Sequence, residues 1–64
     1  MTLGERMLNY RAKHDLTQIE LADILQISPM AVWRCESGKF KMHKANELRL
    51  NQKMTKLEGA DENV

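Results

Sequence analysis

Apolar residues recur at helical spacing almost from the first residue. Leu3, Met7 and Tyr10 fall at i, i+4 and i+7 and mark one face of a helix from about Leu3 to Lys13. Thr2 precedes that run and Glu5 follows three residues later, the pairing of a capping box. His14 and Asp15 make the turn, and Asp tolerates left-handed backbone better than most residues. A second helix runs from Thr17 or Gln18 to Leu25, with Thr17 and Glu20 as another capping box. Leu21, Ala22 and Leu25 form its buried face, and Leu16 packs just ahead of it. Ala22 is small enough for the next helix to cross closely.

Gln26 and Ile27 form the next turn. Ser28 is the N-cap of a third helix and Pro29 its first residue, where a missing N–H costs nothing. Val32 and Cys35 point inward, which leaves Met30, Ala31, Trp33 and Arg34 outward or sideways. Gly38 ends the helix. After a basic loop, Lys39 to Lys44, a fourth helix spans about Ala45 to Leu57, with an irregular stripe of Ala45, Leu48, Leu50, Met54 and Leu57. Residues 1–58 read as one all-α domain, and residues 59–64, GADENV, as a flexible acidic tail.

Composition removes several function classes. Sixty-four residues bury a modest core. One cysteine, Cys35, permits no internal disulfide, fits a reducing cytoplasm and reads as a small core residue. No His/Cys spacing suggests a metal site, and His14 and His43 read as turn and loop residues. There is no activated nucleophile set and no Gly-rich phosphate loop, so neither catalysis nor a cofactor is expected. No apolar run approaches membrane-spanning length and no signal peptide is visible, so a soluble cytoplasmic protein is expected.

The net charge of +1 averages over unlike segments. Residues 1–33 carry Arg6, Arg11 and Lys13 against Glu5, Asp15, Glu20 and Asp23, a net of −1. Residues 34–57 carry seven Lys and Arg against Glu36 and Glu47, a net of +5, and Glu58, Asp61 and Glu62 leave the end of the chain at −3. Positive charge is thus concentrated from the third helix onward, the asymmetry that phosphate binding needs. Two short helices, a tight turn and an outward arginine on the second helix have the layout of a helix-turn-helix that enters the DNA major groove.

Residues 3–41 resemble the Cro/phage-repressor-type (XRE-like) helix-turn-helix family. The resemblance lies in Leu3-Gly4-Glu5-Arg6, Arg11, Leu16-Thr17-Gln18, Glu20-Leu21-Ala22, Leu25, Ile27-Ser28, Val32, Glu36 and Gly38-Lys39, in unbroken order. It implies a compact, lambda-repressor-like domain of four to five helices that binds double-stranded DNA as a homodimer. The expected biology is transcriptional regulation, as a repressor, in a bacterium, phage or mobile element. Gln18 matches a position that contacts a phosphate beside a helix N-terminus. Ser28, Pro29, Met30 and Arg34 match positions that face bases or flanking phosphates, and Arg11 and Glu36 match a salt bridge that orients the third helix.

The departures from that pattern also carry information. Gln26 stands where the family has a turn glycine, which implies mild strain. Pro29 offers no side-chain donor, and Met30 offers only apolar contact, for example to a thymine methyl. Arg34 is then the only strong base-reading fork on the third helix, with guanine its natural partner. Lys39, Lys41 and Lys44 are expected phosphate clamps. Trp33 reads equally as a surface aromatic and as a contact to a sugar-phosphate edge. Leu50, Met54 and Leu57 are the expected dimer contacts. Ile19 and Ile24 either pack under the last helix, stand exposed singly or belong to a partner surface. They feed one alternative, a protein-interaction module of anti-repressor or antitoxin type. An architectural DNA-bending factor is the other.

Overall fold

The computed structural model describes residues 1–62. Four helices follow in order: α1 (Leu3–His14), α2 (Gln18–Leu25), α3 (Pro29–Ser37) and α4 (Lys44–Glu62), with no strand among the described residues. The radius of gyration, 10.9 Å, matches the roughly 11 Å of a chain of this length folded as one body. No helix among the described residues is long and apolar enough to cross a membrane.

Local chemistry sets the helix ends. Thr2 and Thr17 each accept a hydrogen bond from the backbone N–H three residues on, and Glu5 and Glu20 accept one back from the cap N–H. Ser28 Oγ accepts from the Ala31 N–H ahead of Pro29. Three residues with left-handed backbone close the first three helices: Asp15 (φ 54°), Gln26 (φ 59°) and Gly38 (φ 69°). Only glycine adopts this without a Cβ penalty, so Gln26 carries a strain of about 1–2 kcal/mol. The Lys53 ammonium donates to the Leu25 carbonyl at 2.6 Å and satisfies the end of α2.

The core is Met7 of α1, Leu21, Ala22 and Leu25 of α2, Val32 of α3, and Leu50 and Met54 of α4. Leu3, Tyr10, Ile27, Cys35, Met42 and Leu57 pack around it, half-buried. α1 lies against α3 at Gly4, where the two backbones approach so closely that no side chain fits between them.

Three expectations fail on α4. Leu50 and Met54 are inside the molecule and Leu57 packs against the same cluster, so the stripe expected to hold a second copy seats α4 on its own domain. Ala45 and Leu48, expected to share that stripe, are exposed, with Leu48 at 61%. The segment expected as a flexible tail, 59–64, is helical through Glu62, and its last two positions, Asn63 and Val64, lie outside the described residues. The physical reason for the longer helix is α1. Arg6 reaches Asn51 Oδ1 at 2.7 Å, Thr55 Oγ1 at 3.0 Å and Glu58 Oε1 at 2.5 Å, one contact per turn of α4. Asp61 then meets His14 at 2.8 Å and Lys13 at 3.4 Å. The basic face of α1 thus holds Glu58 and Asp61 in place.

Candidate nucleic-acid interface

α3 is nine residues long and presents two unlike faces. Val32 is fully buried, with Cys35 half-buried beside it, which fixes the helix against the core. The Cys35 thiol is pushed up, first by burial and then by the charges of Glu36 and Glu47, as suits a packed and unreactive group. Met30, Trp33 and Arg34 are exposed, as their spacing predicts, Ala31 of the same set is half-buried, and Ser28 and Pro29 are exposed as well.

The rotation of α3 is set by a three-residue network. Arg11 donates through Nε to Glu36 Oε2 at 2.8 Å and through Nη2 to Glu36 Oε1 at 2.6 Å, a bidentate pair. A third bond runs from Arg11 Nη1 to the Leu16 carbonyl at 3.2 Å, so this side chain also fastens the α1–α2 turn. Gln18 Nε2 donates to Glu36 Oε1 at 2.8 Å. The Glu36 side chain is 5% exposed. Burial pushes its carboxyl up, but the hydrogen bonds from Arg11 and Gln18 and the Arg11 charge outweigh it, leaving it below the ordinary value. The Gln18 amide, expected to point at a phosphate, is here turned onto Glu36, because a buried carboxylate competes for its N–H more strongly than water does.

Beyond α3, Gly38 reverses the chain and the loop carries Lys39, Phe40 and Lys41 toward the start of α4 at Lys44. Lys39, Lys41 and Lys44 are all exposed. An open groove of ≈ 820 Å³ runs between α3, this loop and the N-terminal turns of α1 and α4. Ser28, Met30, Arg34, Lys41 and Lys44 all line it. Pro29, Trp33, Lys39 and Gln18 lie outside it.

Spacing does not single out Phe40, which stands alone in a polar loop with no periodic partner. The structure places it in the middle of the site. Its ring lies 5.5 Å from that of Trp33 at a tilt of 50°, and the Arg34 guanidinium sits 5.4 Å from its centroid. Trp33 is thereby a member of an exposed aromatic pair. Ile19 (68% exposed) and Ile24 (46%) stand out in solvent and do not pack under α4. Among the described residues, no group of His, Cys, Asp and Glu is arranged to hold a metal ion. Comparison of the chain with protein-family models, with curated proteins and with solved structures returned no match.

Proposed function

We propose that this chain is a sequence-specific DNA-binding transcriptional regulator, a repressor of the Cro/phage-repressor type. In this reading α2 and α3 form a helix-turn-helix and α3 lies in the major groove. One contrast carries the reading. Of the four arginines, Arg6 and Arg11 are each held by a carboxylate, while Arg34 on α3 and Arg49 on α4 pair with no carboxylate among the described residues, and only Arg34 stands on the outward face of the helix-turn-helix. A folded domain that leaves the outward arginine of α3 unneutralised, beside exposed Lys39, Lys41 and Lys44, offers a cationic edge to an anionic partner.

Arg34 would then donate to guanine O6 and N7, and Met30 would meet a thymine methyl. Lys39, Lys41 and Lys44 would contact phosphates and fix register. Ser28 and Pro29 open α3 toward the backbone, with the Ser28 hydroxyl already serving as its cap. Gln18 keeps α2 and α3 in fixed relation through Glu36. One such module covers too little DNA for tight binding, so a homodimer on a two-fold site belongs to the proposal. Its contacts must come from a surface other than the buried Leu50 and Met54.

Selection from a random duplex pool, followed by titration across salt, tests this. The logarithm of affinity is expected to fall with the logarithm of salt with a slope of about −3 per protomer, for three lysine–phosphate contacts. A slope near zero, or no duplex enriched, would refute the reading. The exposed Ile19 and Ile24 favour a protein-interaction module as the second reading, and the same null result would support it. A strongly bent but weakly selected duplex would point to an architectural factor.

A further inference from the structure

We propose that Phe40, in the loop after α3, is a positioning residue that sets the guanine preference of Arg34. This rests on the DNA-binding reading and adds to it a determinant outside the helix that contacts bases.

Phe40 is 50% exposed and is no part of the core cluster, so the fold does not require it. It is flanked by Lys39 and Lys41, in a loop where a polar residue would be better solvated. Gly38, with its positive φ, turns the chain back so that this ring lies beside α3. The Arg34 guanidinium, 5.4 Å from the ring centroid, falls within the range of a cation–π contact. Trp33, at 5.5 Å and tilted, contacts the same ring at a separation that aromatic pairs prefer. An isolated arginine on a helix surface samples many rotamers, and a planar fork already held in its plane loses less on meeting guanine. The ring holds it, and Trp33 holds the ring.

The electrostatics of the ring face, and not merely its bulk, should matter. Phe40→Leu keeps apolar volume and loses the aromatic face, Phe40→Tyr keeps both, and Phe40→Ala loses both. The readout is the ratio of affinities for the selected duplex and for the same duplex with the Arg34-contacted G·C pair changed to A·T. Phe40→Leu and Phe40→Ala are expected to lower that ratio about two- to fivefold, the factor for an exposed cation–π contact. Phe40→Tyr is expected to keep it. Helix content, salt slope and affinity for unrelated duplexes should stay at the wild-type values in all three, and the melting midpoint should fall by only a few degrees where the ring contacts are lost. A ratio unchanged in Phe40→Leu, or lost equally in Phe40→Tyr, would overturn the proposal while leaving DNA binding intact. A wild type that selects no duplex would remove the underlying reading before any variant is made.

Discussion

Gly4→Ala is expected to lower the melting midpoint by about 10 °C or more, a cost of about 3 kcal/mol where each kcal/mol shifts a domain of this size by about 4–8 °C. By propensity alone the change should help, since alanine is the better helix former by about 1 kcal/mol. Packing decides the sign. A Cβ on Gly4 would overlap the Cys35 carbonyl oxygen, and it would lie 2.8 Å from the carbonyl carbon and 3.1 Å from the Glu36 Cα. These are backbone atoms of α3, so relief requires α1 and α3 to move apart, and with them Met7 and Val32 in the core. The total stability of a 64-residue domain is on the order of 3–10 kcal/mol, so the loss is a large share of it. Thermal denaturation followed by circular dichroism measures it. A midpoint equal to or above that of the wild type would show that the two helices do not meet at Gly4.

Arg11→Met should cost about as much, roughly 3 kcal/mol, because it strands a carboxylate that is almost wholly enclosed. Gln18 still donates to Glu36 in that variant, which keeps the loss from being larger. Replacing both partners, Arg11→Met with Glu36→Leu, is expected to recover most of the stability, since no buried charge remains. The pH dependence follows from the direction of the shift. In the wild type the Glu36 carboxyl lies below its ordinary 4.5. Its contribution is therefore complete above that value and is lost as the pH falls through the lower, folded one. Without Arg11, burial pushes the carboxyl up, and protonation then favours the folded form. The deficit of Arg11→Met should thus be large at pH 7 and shrink progressively as the pH falls through the ordinary carboxylate range. A deficit that stays constant across this range would mean that Glu36 is not the group left unpaired.

The elements are legible in the sequence because their end signals are local. Thr2 with Glu5, Thr17 with Glu20, and Ser28 with Pro29 place three helix starts within a residue of where they occur. The core of the first three helices follows from period alone. α4 does not, because its docking depends on a residue far back in the chain: Arg6 reaches Asn51 and then Glu58. Nothing local says that an arginine on α1 will meet three turns of a later helix. For the same reason Leu50 and Met54 read as a free stripe, and Asp61 as part of a tail, until α1 is packed against them. In the candidate site, charge placement points to Arg34 and the lysines. Phe40 is invisible at that level, since its importance comes from the turn at Gly38 that brings a loop ring beside α3. Resemblance gives Gln18 an outward role, and the buried carboxylate of Glu36 redirects it.

If the arginine-bearing face of α3 reads bases, Arg34→Ala must separate one duplex from another. The most direct measurement compares wild type and Arg34→Ala on the selected duplex and on a scrambled duplex of equal length. The expected result is a loss of about 1–3 kcal/mol on the selected duplex and almost none on the scrambled one. An equal loss on both would reduce Arg34 to a phosphate contact, and no loss on either would contradict base reading outright.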